Sequence, residues 1–243
     1  MPEIENQTGS EPKPVTLGGF NILGPLFTGN QGMGAFFGLL IALLFVVYPL
    51  VEYSERGRTF VDIFFSLLLI RGAFTIRKGV ALRSLIFTMV AMTFSVHWIK
   101  RFSPDLPVYR LEAALSMICL ALFIATILIH VFQPGPMTLQ RVMGVVSVYL
   151  LLGLLWAFGY HLVQYALPTA FHFNFPPVGD ETMMSRLVYF SFETLTTVGF
   201  GDITAIHPFA RALVVSEALV GQLFPVLLIG GLLSMALQSR SKI

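Results

Sequence analysis

The groups best placed for chemistry lie in one short segment, TLTTVGFGD, at residues 194–202. This mixture of threonine, valine and glycine predicts neither a regular helix nor an ordinary strand, and its useful groups are oxygens. They are successive backbone carbonyls and the Thr197 hydroxyl. Gly199 and Gly201 tolerate left-handed backbone, and alternation between right- and left-handed residues points successive carbonyls along one axis. Such a row of oxygens can replace the hydration shell of a dehydrated potassium ion.

The composition of the whole chain indicates a membrane protein. Its 243 residues are 56% hydrophobic and 12% charged, with a mean hydropathy of +0.79, which is unlike soluble domains. The net charge of +2 is too small to suggest a polyanionic partner, and no basic run interleaved with aromatic residues predicts a nucleic-acid surface. The single cysteine, Cys119, excludes a disulfide or a CxxC metal site within the chain.

Apolar stretches predict an all-α membrane protein with six transmembrane helices, since each is close to the roughly twenty residues needed to cross a bilayer. They lie at roughly 33–53, 59–75, 79–99, 108–132, 142–166 and 209–237. The segment QPGPMTLQR, residues 133–141, contains two prolines and a glycine and separates the first four stretches from the last two.

Between the fifth and sixth stretches the sequence predicts a re-entrant pore loop. Residues 180–196 predict a helix, with Asp180 as its N-cap and no glycine or proline before Gly199. This pore helix is too short to cross a membrane, and irregular backbone at membrane depth is tolerated only where it is buried or lines water. Its C-terminal end would direct a partial negative charge at a cavity and stabilise a cation there. Val198 and Phe200 are expected to turn outward and brace the loop.

The string ETLTTVGFGD, residues 193–202, resembles the selectivity filter of the potassium channel family. With the pore helix and two flanking spans, the resemblance extends to the pore domain of that family over residues 141–237. It implies a selectivity filter made of Thr197, Val198, Gly199, Phe200 and Gly201, with K+ coordinated by the first four. It also implies that Thr196, Glu193 and Asp202 support the filter. Because four such loops form one ring of carbonyls, the chain is predicted to form a homotetramer.

Two positions depart from the commoner pattern of that family. Phe200 replaces a tyrosine whose hydroxyl would tie the filter to the pore helix, and Phe190 replaces a tryptophan whose indole N–H holds the filter aspartate. The resemblance also places Glu193 near Asp202. Two carboxyl groups at close range in a poorly hydrated site cannot both ionise easily, so we predict that they share a proton. The alternative is that Asp202 faces solvent while Glu193 pairs with Arg186 or water.

The sixth stretch, EALVGQLFPVLLIGG, resembles the inner helix of the family, and Gly221, Pro225 and Gly230 are predicted to form a gating hinge. The alternative is that small residues there only let helices approach closely. His207 follows the filter closely enough to sense its ions and is a possible proton sensor.

The predicted bundle at 33–132 is expected to resemble a voltage-sensor-like domain that does not sense voltage. Sensors need several arginines along one helix, and the fourth stretch contains only Arg110. Asp62 is expected to pair with a neighbour such as Lys100 or Arg101 rather than to form part of a charge-transfer pathway.

Together these features predict a potassium-selective channel that conducts K+ passively and is not strongly voltage-gated. A weakly selective cation channel is the nearest alternative. A secondary cation transporter is a more distant one, because it would be expected to show paired broken helices and the sequence shows one re-entrant element. No enzymatic residue set appears. The expected partners are membrane lipid, potassium ions and further copies of the chain, without a cofactor or nucleic acid. The expected location is the plasma membrane, or the inner membrane of a bacterium. Both termini, 1–32 as a flexible segment and 238–243 as a short tail, are predicted to be cytoplasmic.

Overall fold

The computed structural model describes residues 32–50, 55–75, 80–102, 108–133, 138–174 and 180–240. The elements in these ranges are α1 (Gly32–Ala42), a π-helical turn (Leu43–Val47), α2 (Tyr48–Leu50), α3 (Glu55–Thr75), α4 (Val80–Phe102), α5 (Tyr109–Val131), α6 (Leu139–Ala166), β1 (Phe171–Phe173), α7 (Asp180–Leu195), β2 (Ile203–Ala205) and α8 (Pro208–Arg240). Of the predicted N-terminal segment 1–32, residues 1–31 lie outside the described residues. The predicted tail, 238–243, is described only to residue 240, as the end of α8.

Helices occupy the positions of all six predicted spans, but within the described ranges only three are long and apolar enough to cross a membrane. These are Tyr109–Val131, Leu139–Ala166 and Pro208–Leu228. Met33–Val47 is apolar but shorter, and α3 contains several charged residues that lower its hydropathy. The three apolar helices support a membrane protein, whereas a total of six spans stays a prediction.

One apolar core joins the N-terminal helices to α6. Phe36 of α1, Leu68 of α3, Phe123 of α5 and Leu151 of α6 are all buried in it. Phe36 and Phe123 meet edge to face, with ring centroids 6.4 Å apart. The core therefore continues across the predicted boundary at 133–141, and the N-terminal helices pack directly on the first helix of the predicted pore domain.

A polar network lies at one end of this bundle. His97 Nε2 lies 3.1 Å from Asp62 Oδ1, and His97 Nδ1 lies 2.6 Å from Glu112 Oε1. Lys100 Nζ is 2.9 Å from Glu112 Oε2, and Arg101 Nε is 3.3 Å from Asp62 Oδ2. The predicted pairing of Asp62 with Arg101 is confirmed, and the charges of α3, α4 and α5 neutralise one another here.

A second, smaller core holds α7 against α6. Its centre is a triangle of rings from Tyr160, Phe171 and Phe190, whose centroids are 5.2 to 5.6 Å apart. Such ring clusters bury a large apolar area and fix the rotation of the helix that carries them. Phe190 is therefore a packing residue that orients α7.

A two-stranded antiparallel sheet departs from the predicted all-α fold. β1 pairs with β2, with Phe171 opposite Ala205 and Phe173 opposite Ile203. The amide of Asn174 then donates to the carbonyl of Asp202 at 3.0 Å. Strands of three residues are too short to show a periodic pattern, which is why the sequence did not predict them.

Candidate ion-conduction site

The predicted pore helix, which keeps that name below, corresponds to α7; it begins at Asp180 and is roughly 24 Å long at 1.5 Å per residue. Two glycines let it approach the flanking helices closely. A Cβ at Gly153 of α6 would lie 2.6 Å from the ring of Phe192, and one at Gly221 of α8 would overlap the carbonyl of Leu195. Tyr149 of α6 also donates a hydrogen bond to that carbonyl at 3.2 Å. The C-terminal end of the pore helix is thus fixed by contacts with both α6 and α8.

The backbone after the pore helix alternates in handedness. Within residues 196–202, which we call the filter segment, φ is +58° at Thr197, +61° at Gly199 and +80° at Gly201. Val198 and Phe200 lie between them with φ outside the positive range. The alternation predicted from the two glycines is confirmed, and backbone of this kind can point successive carbonyls along one axis.

Thr197 is the one non-glycine residue of the described chain with a positive φ, which its residue type does not predict. A left-handed conformation is unfavourable for a β-branched residue and persists where surrounding contacts impose it. The Thr197 amide donates to the Thr194 carbonyl at 2.9 Å. Its hydroxyl accepts a hydrogen bond from Gln222 Nε2 of α8 at 2.8 Å, so Gln222 is a further residue of the site.

Within a single chain, the filter segment is open to its surroundings. Phe200 is 71% exposed, and a Cβ built at Gly199 or Gly201 meets no atom within 4 Å. The Phe200 ring contacts the pore helix on one side only. It stacks on Tyr189 with a centroid distance of 6.4 Å and an interplanar angle of 2°. This contact agrees with the expectation that Phe200 braces the loop against the surrounding helix.

The aspartate after the filter has a hydrogen-bond donor on the pore helix at a position other than Phe190. Tyr189 Oη donates to Asp202 Oδ2 at 2.9 Å, while the amide of Ile203 donates to Asp202 Oδ1 at 3.0 Å. The phenol one position before Phe190 therefore supplies the donor that the phenylalanine lacks. The tyrosine in the string VYFSFE was the signal available in the sequence.

Glu193 lies behind the filter segment and is 6% exposed. Burial raises the pKa of its carboxyl, and the neighbouring charge of Asp202 raises it further. The pKa of Tyr189 is also raised, first by burial and then by its hydrogen bond to Asp202. Among the described residues, Glu193 Oε2 has no hydrogen-bond partner. Thr196 turns its hydroxyl back to the Phe192 carbonyl at 2.6 Å and caps the helix end.

The remaining predicted residues lie on or just before α8. This helix runs without a break through Pro225 and Gly230, and Gly221 makes the close contact with the pore helix. His207 precedes α8, and its Nδ1 accepts the amide N–H of Phe209 at 3.2 Å. That contact is a helix cap, which a second ring proton would disrupt. The hinge and the proton sensor stay predictions.

A comparison with known families locates a channel domain in the same part of the chain. Residues 148–238 match a family model described as an ion channel, from within α6 to near the end of α8. No curated protein and no solved structure matches the chain. This match, together with the three apolar helices, supports an ion channel in a membrane.

Proposed function

We propose that the chain is one subunit of a potassium-selective channel that conducts K+ passively across a membrane. The observation that carries this proposal is the alternating backbone, with left-handed residues at Thr197, Gly199 and Gly201. The oxygens of Thr197, Val198, Gly199 and Phe200 would coordinate K+, and the Thr197 hydroxyl would contribute at one end. The end of the pore helix, one residue before the filter segment, would add its partial negative charge.

The proposal includes a homotetramer, because one filter segment surrounds an ion on one side only. Two features support it. The filter segment is exposed in the single chain, and α8 carries a row of exposed apolar side chains, namely Val215, Leu219, Leu223, Val226 and Leu227. A contiguous apolar surface of this kind marks contact with protein or lipid. Part of it would pack against neighbouring subunits, and the rest would contact lipid.

The proposed channel lies in the plasma membrane, or in the inner membrane of a bacterium, with the filter facing outward and both termini cytoplasmic. It is not strongly voltage-gated. Voltage sensing needs several arginines along one helix, and α5 contains only Arg110, which is exposed at its start. The acid nearest to it on the same helix, Glu112, lies against His97 and Lys100.

The test is a recording from purified protein reconstituted in a planar bilayer with opposing potassium and sodium gradients. We expect the reversal potential to follow the potassium gradient. Equal permeability to the two ions would favour a weakly selective cation channel. Transport without unitary currents, from a protein that native mass measurement finds as a monomer, would favour a secondary transporter.

A further inference from the structure

A fully buried carboxyl group lies where three helices of the ion-channel domain meet. Glu217, in the middle of α8, is 0% exposed. Its Oε2 accepts a hydrogen bond from the Tyr160 hydroxyl of α6, and its Oε1 lies 2.5 Å from the Ser191 hydroxyl of α7. Neither the filter nor the predicted hinge explains an acid at this position.

Counting protons determines the state of this carboxyl. The Ser191 hydroxyl lies 2.7 Å from the carbonyl oxygen of Gly153 as well as 2.5 Å from Glu217. A hydroxyl has one hydrogen to donate, and the Gly153 carbonyl has none. Both short contacts are hydrogen bonds only if Ser191 donates to Gly153 and accepts a proton held by Glu217.

The surroundings of Glu217 favour the same state. In the described part of the chain, the groups facing its carboxyl are hydroxyls, from Tyr160 and Ser191 with Tyr149 farther away, and no lysine or arginine pairs with it. An ionised carboxylate that is buried without a cation is strongly disfavoured, whereas a protonated one donates one hydrogen bond and accepts another.

We propose that Glu217 holds a proton at neutral pH and acts as a positioning residue that fixes the pore helix between α6 and α8. Protonated Glu217 donates a hydrogen bond to the Ser191 hydroxyl, and Ser191 donates one to the Gly153 carbonyl. Gly153 has no Cβ, and this lets the pore helix come close enough for that bond. Ser191 is two residues before Glu193, so the same unit sets the position of the filter segment. Its effect on conduction rests on the proposed channel function, whereas its protonation does not.

The protonation is tested by infrared spectroscopy of the purified protein in detergent at neutral pH. Glu193→Gln serves as the background, since Glu193 is the other acid expected to hold a proton. A carbonyl band of a protonated carboxylic acid should persist in Glu193→Gln and disappear in the double variant Glu193→Gln/Glu217→Gln. Absence of that band from Glu193→Gln alone would overturn the proposal, even if the double variant does not fold.

The positioning role is tested by comparing conservative and disruptive variants in bilayers. Glu217→Gln keeps a donor for Ser191 and an acceptor for Tyr160, so the conductive dwell time should stay close to that of the parent protein. Glu217→Leu and Ser191→Ala should shorten it about tenfold or more, because each leaves a buried polar group without its partner. Ser216→Ala is the matched control, because its exposed hydroxyl donates to the Leu213 carbonyl of its own helix.

The two tests separate failure of the positioning role from failure of the proposed function. If Glu217→Gln shortens the dwell time as much as Glu217→Leu does, the carboxyl is needed as an ion, and the proposal is contradicted. Lack of potassium selectivity in the parent protein would contradict the proposed function only, because the infrared band does not depend on which ion passes.

Discussion

The hydroxyl of Tyr189 and the carboxylate of Asp202 are joined by a hydrogen bond of 2.9 Å, and this bond connects the pore helix to the end of the filter segment. The same tyrosine ring lies parallel to Phe200. One side chain therefore holds the filter segment by two different interactions, a directional hydrogen bond and a stacking contact. The two interactions can be removed separately.

Tyr189→Phe should keep potassium selectivity and shorten the time for which the filter conducts. The variant retains the ring beside Phe200 and loses only the donor to Asp202. Hydrogen bonds to charged groups contribute more than neutral ones, and with Tyr189 partly exposed we expect a shortening of about threefold to tenfold. Single-channel dwell times at fixed pH and voltage measure it.

Tyr189→Trp is the companion variant, because an indole ring restores an N–H donor and an aromatic face at the same position. It should recover most of the dwell time lost in Tyr189→Phe. Equal dwell times in the parent protein and in Tyr189→Phe would show that the hydrogen bond to Asp202 contributes nothing to conduction.

Glu193 and Asp202 are predicted to be coupled through a shared proton. The pKa of Glu193 is raised above its ordinary value of 4.5, so the folded protein binds more protons than the unfolded chain at pH values above that. The contribution of Glu193 to stability is complete at low pH and declines as the pH rises through the raised pKa of Glu193 in the folded protein. The dwell time should decline over the same range, and Glu193→Gln should remove that pH dependence.

The coupling is measured with a double-mutant cycle of Glu193→Ala, Asp202→Asn and the combined variant, recorded during sustained opening. Each single change should alter the time course without altering potassium selectivity, because the coordinating oxygens stay in place. Effects that simply add, or single variants that behave like the parent protein, would mean that the two acids do not interact.

Gly199→Ala should abolish conduction or selectivity by changing the backbone and not by a steric clash. A Cβ at Gly199 meets no atom within 4 Å in the chain, but φ is +61° there. Left-handed backbone costs an alanine about 1–2 kcal/mol in each subunit. Gly38→Ala is the matched control, since its added Cβ also meets no atom within 4 Å and its backbone is helical. Reversal potentials should change only in the first variant.

Gly221 and Gly230 separate the hinge hypothesis from the packing alternative. Gly221→Ala places a Cβ against the Leu195 carbonyl and should destabilise the protein by about 1–3 kcal/mol. Gly230→Ala meets no atom within 4 Å and should be neutral or stabilise the helix by up to about 1 kcal/mol. Thermal unfolding in detergent measures both. If the two variants change gating alike and leave stability unchanged, the hinge interpretation is correct for both glycines.

Arg110→Gln should change the voltage dependence of opening very little. One charge crossing the whole membrane field contributes about 2.3 kcal/mol per 100 mV, and Arg110 lies at the exposed start of α5. Open probability measured over a wide voltage range should vary shallowly in both proteins. A steep curve in the parent protein that flattens in Arg110→Gln would contradict this view of the bundle.

Local backbone chemistry is the part of the site that could be predicted from the sequence. Gly199 and Gly201 were assigned correctly because the conformations open to a glycine are a property of the residue itself. The helix predicted at 180–196 also matches α7 to within one residue, because it rests on the local absence of glycine and proline. The positions of the helices followed from the apolar stretches, because a stretch of that length needs to satisfy its backbone within itself in lipid.

Contacts between distant parts of the chain were decided only by the tertiary structure. The rotation of α7 about its axis places Phe190 in the ring cluster and leaves Tyr189 facing Asp202. The sequence shows two adjacent aromatic residues and does not reveal which of them faces the core. Thr197 is left-handed although its residue type disfavours that conformation, and its hydroxyl is held by Gln222, which is 25 residues away in the chain. Glu217 looks like an isolated acid in an apolar helix, and its partners lie 26 and 57 residues away in the chain. These side-chain hydrogen bonds join groups that packing brings together from distant parts of the chain, and a local sequence pattern cannot predict them.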